Sequence, residues 1–395
     1  MTFRTLADLT DVRGKRVIVR EDLNVPLRDG TITDDTRITA AVPTLQWLSK
    51  RGARTVILSH LGRPDGKRDP KYSLAPVFER LKTLVPGEWR FAPDCVGETV
   101  VDMTRSDFTD GGFLLLENVR FHPEEEANDP VFAAELAASG DVYVNDAFGT
   151  AHRAHASTVG IAADLPAYAG LLMESELSAL SRLTDHPARP FVCAIGGAKV
   201  IDKIGVFDHL LSRVDAFVIG GGMANTFLAA QGVNVGKSLR DPDLGPAQVI
   251  IVHAKQRGVT LHLPTDCVVA DAFNADDTAA TVALDAVGDR MILDIGPQTA
   301  RAYAAVLARA KTIVFNGPMG VFERAPYQNG TRVVGEAIAA ATKAGATSVV
   351  GGGDAAAAAH ALGFADGMTH VSTGGGATLE FLEGKTLPGV AALER

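Results

Sequence analysis

Four glycine turns stand at or near the ends of short apolar runs in the second half of the 395-residue sequence. They are Gly196-Gly197-Ala198-Lys199, Gly220-Gly221-Gly222, Gly351-Gly352-Gly353-Asp354 and Ser372-Thr373-Gly374-Gly375-Gly376, and each leads into a helix-like stretch. Glycine lets backbone approach a ligand closely, and a helix N-terminus presents unpaired N–H groups and about half a positive charge, which suits phosphate oxygens. One such turn reads as a tight connection; four in one region predict a nucleotide phosphate site. Lys199 and Lys203 fall i,i+4 at the start of the helix expected after the first turn. Like charges at that spacing, and cations near the positive helix end, each cost a few tenths of a kcal/mol, a penalty that a bound polyanion reverses. The same pair also reads as two solvated lysines beside Asp202. Asp354 is a hard oxygen ligand at the phosphate edge, fit for Mg²⁺, and equally an N-cap for the helix that begins at Ala355. The sequence lacks Gly-x-x-x-x-Gly-Lys-Ser/Thr, a His-Arg-Asp catalytic loop and Asp-Phe-Gly, so P-loop and protein-kinase machinery are absent.

The first half carries a different set. Arg20-Glu21-Asp22-Leu23-Asn24, Ser59-His60-Leu61-Gly62-Arg63, Glu117-Asn118-Val119-Arg120 and His152-Arg153-Ala154-His155 each sit at or just after a strand-like run, and Arg37 falls at a helix start. Arginine's planar fork binds carboxylate or phosphate bidentately, so several at one sheet edge predict a pocket for a small, multiply charged anion. Any one of these arginines, or His60, taken alone reads as an ordinary surface or structural residue.

Buried strands are predicted from Val- and Ile-rich runs at Arg16–Arg20, Thr55–Leu58, Phe113–Leu116, Val142–Val144, Phe191–Ile195, Ala216–Ile219, Thr312–Phe315 and Ser348–Val350. Amphipathic or Ala-rich stretches alternate with them, among them Ile38–Lys50, Pro130–Ala138, Asn225–Gln231, Thr299–Ala310 and Thr331–Lys343. This alternation predicts an α/β class with parallel sheets covered on both faces. At roughly 100–200 residues per domain, the length allows two or three domains. Pro166 and Gly170 punctuate the chain before a helix-like Leu171–Leu183, suggesting two α/β halves joined by that helix. A formal net charge of −9 argues against bulk nucleic-acid binding. Cys95, Cys193 and Cys267 show no paired spacing, which points to a reducing cytoplasm rather than a disulfide or zinc framework. Neither a signal-like N-terminus nor a membrane-length apolar run is visible.

The chain closely resembles the phosphoglycerate kinase family from Val17 to Gly389. The passages that carry the resemblance are VREDLNVPL at Val19–Leu27, SHLGRP at Ser59–Pro64, LLENVRFHP at Leu115–Pro123, VNDAFGTAHRAHA at Val144–Ala156, GGAKVIDKI at Gly196–Ile204, NGPMGVFE at Asn316–Glu323, GGGD at Gly351–Asp354 and STGGGATLEFL at Ser372–Leu382. The resemblance implies two doubly wound, Rossmann-like parallel-sheet domains joined by a helical hinge, with a cleft between them. The expected division is 1–168 for 3-phosphoglycerate, 169–387 for Mg-nucleotide with 169–184 as connecting helix, and a tail 388–395 returning to the first domain. It implies reversible phosphoryl transfer from 1,3-bisphosphoglycerate to ADP, giving 3-phosphoglycerate and ATP, by a cytoplasmic monomer that binds neither nucleic acid nor membrane.

By motif position, the resemblance assigns Asp22, Asn24, Arg37, His60, Arg63, Arg120 and Arg153 to phosphoglycerate. It sets Gly197, Ala198, Gly220, Gly221, Leu293, Val321 and Glu323 around adenosine, with Lys203, Asn316, Gly352, Gly353 and the Ala355 backbone near the nucleotide phosphates. Asp354 is the expected Mg²⁺ ligand. Arg37, Lys199 and the N–H groups of Gly374 and Gly375 are expected around the moving phosphoryl group. Three positions depart from the family's common pattern: Ala355 replaces a usual Thr, Ser175 a frequent Lys and Phe315 a frequent Trp. A nicotinamide-dependent dehydrogenase would need Gly-x-Gly-x-x-Gly after an early strand, where this chain has Glu21-Asp22-Leu23-Asn24. An inactive scaffold would be expected to have lost charged motif positions, and all are present.

Overall fold

The computed structural model describes residues 3–106 and 109–394, so the outermost residues of the expected first domain and tail lie outside the described residues. The chain divides into two compact units, Met1–Leu177 with Thr386–Arg395, and Ser178–Lys385. The division falls inside the helix Leu171–Thr184, whereas the sequence reading put the boundary at its start. The helix's first turn is held by the first unit: Leu171 N–H donates to Thr44 Oγ1 at 3.0 Å, and Leu172 and Met173 N–H donate to Asp146 Oδ1 at 2.8 and 3.1 Å.

In the first unit, strands β1 (Arg16–Arg20), the small hairpin β2 (Leu27–Arg28) and β3 (Thr31–Ile32), β4 (Arg54–Leu58), β5 (Trp89–Phe91), β6 (Phe113–Leu115), β7 (Val142–Asn145) and β8 (Ala167–Ala169) follow one another. All but the hairpin form one parallel sheet in the order β5-β6-β4-β1-β7-β8. Val17, Ile18 and Val19 at its centre are wholly buried, as both-face coverage requires. One face packs Ile57, Phe113 and Leu115 against Ile38, Ala41 and Leu45 of helix Thr36–Lys50, which recur at helical spacing, and Val17, Val19, Val142 and Val144 continue that face beside Leu48 of the same helix; Ile18, Val56, Leu114 and Tyr143 alternate to the other face. The motif residues after β1, β4, β6 and β7 therefore emerge together at the carboxyl edge, where open α/β sheets place ligands.

The second unit contains β9 (Phe191–Ile195), β10 (Ala216–Ile219), β11 (Thr260–His262), β12 (Asp266–Ala270), β13 (Ala280–Ala283), β14 (Met291–Ile295), β15 (Thr312–Asn316), β16 (Thr347–Val350) and β17 (His370–Val371). The parallel sheet runs β11-β10-β9-β15-β16-β17. A separate antiparallel sheet, β13-β12-β14, was not expected from the sequence. Its small core is Cys267, Val269 and Val287. All three cysteines are buried and free, and no helix among the described residues is long and apolar enough to cross a membrane.

Candidate active site

In the first unit the expected anion-binding residues converge. Arg37 Nη1 lies 3.2 Å from the Asp22 carboxylate and donates to the Asn24 carbonyl at 3.0 Å. Asn24 Oδ1 accepts from the Gly62 N–H at 2.8 Å, and Arg120 donates to the Gly62 carbonyl at 2.8 Å. Thus the loops after β1, β4 and β6 are tied to one another. Arg63 is exposed and lines a small hollow of about 50 Å³ with Arg120, His122 and Glu126. Asn24 and Arg37 line a larger open hollow of about 420 Å³ with Pro26 and Thr36.

Histidine electrostatics report the same gathering. Burial first, then the positive charges of Arg20, Arg120, Arg37 and Arg153, hold His60 well below the ordinary imidazole range, and so neutral at pH 7. His155 is pushed down to about 4 by burial, Arg120, Arg20 and Arg153. Cations this close repel each other, so their arrangement is stable only with counter-charge. Part of that charge is internal: Glu125 is fully buried and accepts from Ser157 N–H and Oγ at 2.8 and 2.6 Å, and Glu126 lies 3.1 Å from Arg120 Nε. Arg63 is exposed and Arg37 and Arg153 are half-exposed, an arrangement that could receive an external anion bidentately.

In the second unit a largely apolar cavity of about 520 Å³ is lined by the expected residues Gly197, Ala198, Gly221, Leu293, Val321, Glu323 and Asp354. Leu239, Phe273, Met291 and Met319 complete its apolar walls. Gly221 begins the helix Gly221–Ala230 at φ +66°, and a Cβ there would stand 2.7 Å from the Gly197 carbonyl oxygen, so only glycine fits both the conformation and the close approach. Gly220 is the residue before that helix and lies against Met319, behind the cavity surface. The size and apolar walls suit a heteroaromatic ring, with polar groups confined to one rim.

The phosphate-side residues lie around the turn ends. Lys203 Nζ donates to the carbonyls of Gly196 and Asn316 at 2.8 and 2.6 Å, and burial brings its pKa down to about 8 despite the opposing pull of Asp354. Asn316 is buried and donates from Nδ2 to the Gly351 carbonyl at 2.7 Å, leaving its buried Oδ1 without a partner. Gly352 is the N-cap of helix Gly353–Ala361, so Asp354 sits in its first turn and makes no capping bond. That overturns the capping alternative and leaves an exposed carboxylate on the cavity rim. The Ala355 side chain is buried in the core, packed with the cluster that includes Val350 and Ala359. Any Thr hydroxyl at 355 would therefore start from a buried position.

Two expectations change. Lys199 and Lys203 do not share a helical face: Lys199 is exposed on an irregular stretch between bends, a 3₁₀ turn follows at Ile201–Lys203, and the α-helix starts only at Ile204. The Gly374 N–H donates to Ser372 Oγ at 3.1 Å, so that donor is already engaged. Gly375, at φ +49°, precedes helix Gly376–Leu382. Of the remaining departures, Ser175 is exposed, and Phe315 is buried edge-to-face against Phe364 at 5.8 Å.

Sequence reasoning quoted Arg20 and Asp146 within motifs but gave neither a role, and it did not single out Asp294. Arg20 is 1% exposed and reaches Ser157 Oγ at 2.8 Å and His60 Nδ1 at 3.3 Å, serving as the floor of the arginine cluster. Its signal was an arginine closing a wholly apolar strand. Asp146 and Asp294 are fully or nearly fully buried, and burial raises their pKa values to about 6 and about 8. Asp94, Cys95 and His122 bring ligand-type atoms within 4.8 Å of one another, but Asp94 is already bonded by His122 at 2.7 Å and Arg68 at 3.2 Å, and burial pushes the Cys95 thiol well up. That trio reads as a structural acid–histidine pair.

A family profile described as phosphoglycerate kinase matches residues 6–385. The phosphoglycerate kinase of Chloroflexus aurantiacus is 54% identical over 398 residues, covering 100% of this chain and 99% of that one. That of Moorella thermoacetica is 54% identical over 391 residues, with 98% of each covered. Among solved structures, phosphoglycerate kinase from Coxiella burnetii superposes with a TM-score of 0.90 at 44% identity, covering 99% of both chains. The enzyme from Pyrococcus horikoshii gives 0.81 at 33% identity, covering 99% of this chain and 98% of that one.

Proposed function

We propose a division of labour that starts from one fact: the chain belongs to the phosphoglycerate kinase family. Its reaction is reversible phosphoryl transfer between 1,3-bisphosphoglycerate and ADP, giving 3-phosphoglycerate and ATP, a phosphotransfer with a carboxyl group as acceptor. In our reading, Asp22, Asn24, Arg37, His60, Arg63, Arg120 and Arg153 hold the phosphoglycerate. Gly197, Ala198, Gly220, Gly221, Leu293, Val321 and Glu323 enclose adenosine, with the Glu323 carboxylate on the ribose. Lys203, Asn316, Gly352 and Gly353 meet the nucleotide phosphates. The observation that carries this reading is the apolar cavity of about 520 Å³ whose lining joins Gly197 and Val321 to the carboxylate of Asp354.

In the ATP-consuming direction the nucleophile is the substrate's own carboxylate, ionised at neutral pH because such groups titrate near 4 or below. No general base is needed. The neutral His60 accordingly serves as a hydrogen-bonding partner, not a proton acceptor. Phosphoryl transfer rests on alignment and on neutralising charge spread over the equatorial oxygens, which in our reading falls to Arg37, Lys199 and the Gly375 N–H, the Gly374 N–H being held by Ser372 until a ligand displaces that bond. Asp354 fits Mg²⁺, since it is an exposed, uncapped carboxylate on the rim of the cavity, and this ion typically takes one carboxylate plus phosphates and water. When bound, the ion neutralises nucleotide phosphate charge. Transfer requires the two ligands to meet and water to be excluded, so scattering should show compaction with both substrates present. Three buried free cysteines support a reducing cytoplasm, and we place the protein there as a monomer.

The test is ATP consumption with MgCl₂, with and without 3-phosphoglycerate. Turnover should depend on both, and Arg37→Ala, folded, should lose on the order of 10³ in kcat, since charged stabilisers in phosphoryl transfer are worth about 10³–10⁵. A loss within about tenfold would remove Arg37 from its assigned role.

A further inference from the structure

Lys199 is exposed on an irregular stretch between bends, outside any helix or strand, so its reach is set by whatever fixes the backbone that follows it. Val200 N–H donates to Asp241 Oδ2 at 2.7 Å, and Ile201 N–H points to the same oxygen at 3.3 Å. These are the donors that open the 3₁₀ turn Ile201–Lys203, where N–H groups have no partner within the turn itself. A carboxylate is well suited to this position, because the N–H groups and the start of a helical segment both favour negative charge. Asp241 is 4% exposed and lies far along the chain, in the loop between helices Gly221–Ala230 and Gly245–Arg257. It caps the lysine turn from outside.

The same loop is anchored to the nucleotide cavity. Asp241 N–H donates to Oγ1 of the buried Thr226, and the preceding helix residue, Asn225, donates from Nδ2 to the Leu239 carbonyl, both at 3.0 Å. Asn225 and Leu239 line the cavity. One end of the loop is therefore cavity wall, and two residues later its carboxylate fixes the segment that bears Lys199. Asp241 Oδ1 is buried with no partner, so the carboxylate is held here although only one of its oxygens is used.

We infer that Asp241 is a positioning residue for phosphoryl transfer: it sets the backbone from which Lys199 reaches the transferring group, and ties that setting to the wall of the nucleotide cavity. This rests on the role proposed above for Lys199. Asp241 itself touches no substrate.

A double-mutant cycle tests it, with kcat measured at saturating 3-phosphoglycerate and Mg-ATP on Asp241→Ala, Asp241→Asn, Lys199→Met and the combinations, folding being checked by circular dichroism. Asp241→Ala should lower kcat by at least tenfold with the ATP KM changed less than threefold. Asp241→Asn, which keeps one acceptor oxygen but not the charge, should lose less than Asp241→Ala, about three- to fivefold. In the Lys199→Met background, either Asp241 change should lower kcat by less than twofold further, because the group it positions is gone. Equal losses in both backgrounds would show a general packing role and overturn the inference, as would a wild-type kcat in Asp241→Ala. If Asp241→Ala does not fold, Asp241→Asn carries the test: a threefold or greater kcat loss confined to the Lys199 background supports it, and no loss or an equal loss overturns it. A wild-type kcat in Lys199→Met would instead bring down the Lys199 assignment, and the inference with it.

Discussion

Replacing Arg20 by methionine should unfold one half of the molecule selectively. Arg20 is 1% exposed, donates to Ser157 Oγ at 2.8 Å and to the Glu21 carbonyl, and draws down the carboxyl pKa values of Glu125 and Glu21, which burial pushes up. Methionine retains much of the length but not the charge, leaving the fully buried Glu125 without that cation. Arg20 and Glu125 meet through Ser157 Oγ, and removing one member of such a buried charge network should cost on the order of the 3–5 kcal/mol typical of a broken buried ion pair. With a urea m-value of about 2 kcal/mol/M, the midpoint should fall by about 1.5–2.5 M. Trp47 and Trp89 are the two tryptophans of the sequence, and both belong to the first unit, so tryptophan-selective fluorescence follows that unit alone. The fluorescence transition should move while unfolding of the second unit, followed by loss of nucleotide binding, stays in place. The sign of the pH dependence is also set. Glu125 has a folded pKa above its unfolded one, so its destabilising contribution is absent at low pH and grows as pH rises through that interval. Losing Arg20 raises the folded pKa further, so the deficit should be larger at pH 8 than at pH 5. A midpoint within about 0.3 M of the parent, or a deficit that grows on acidification, would refute the reasoning.

Nucleotide binding should take up protons near pH 8.5, because Lys203 titrates at about 8 in the free protein and adjacent phosphates raise it; calorimetry in two buffers of different ionisation enthalpy should show uptake there and none at pH 6.5, and equal heats at pH 8.5 would contradict it. Asp354→Asn should raise the Mg²⁺ concentration for half-maximal activity by about tenfold, while 3-phosphoglycerate binding, measured without nucleotide, stays unchanged. Gly170→Ala places a Cβ 2.2 Å from Asp146 Oδ1 and displaces the carboxylate that caps Leu172 and Met173; a loss of about 2–3 kcal/mol in the fluorescence transition is expected, and an unchanged midpoint would count against it.

The central strands were legible because they are written as uninterrupted apolar runs: Arg16–Arg20, Phe191–Ile195 and Ala216–Ile219 are strands over the residues the sequence marks. Trp89–Phe91, Ala167–Ala169 and His370–Val371 escaped because each is an edge strand of two or three residues, too short to show a period. The antiparallel sheet escaped because Ala280–Ala283 alternates between half-buried and exposed positions with alanine at both ends, giving no amphipathic contrast. The lysine spacing misled for a different reason. Glycines at 196 and 197 announce a helix, but Asp241 holds the next residues in a turn first, and a tertiary bond of that sequence separation leaves no local trace. The arginine motifs come together at one sheet edge, yet the burial of Arg20 was hinted only by its place at the end of an apolar run, and the exposure of Arg63 left no mark in the sequence.

The first unit is built from two stretches of chain separated by the whole of the second. Its closing segment bonds back through the Gly389 N–H to the Ala151 carbonyl at 2.8 Å, and Glu394 bridges to Phe3. Synthesis completes the sequence of the second unit at Lys385, before the first unit has all the residues it needs. The usual order of synthesis, in which the N-terminal domain is finished first, is thereby reversed at the last step. Until residues 386–394 are added, the arginine-rich first unit lacks the segment that closes it.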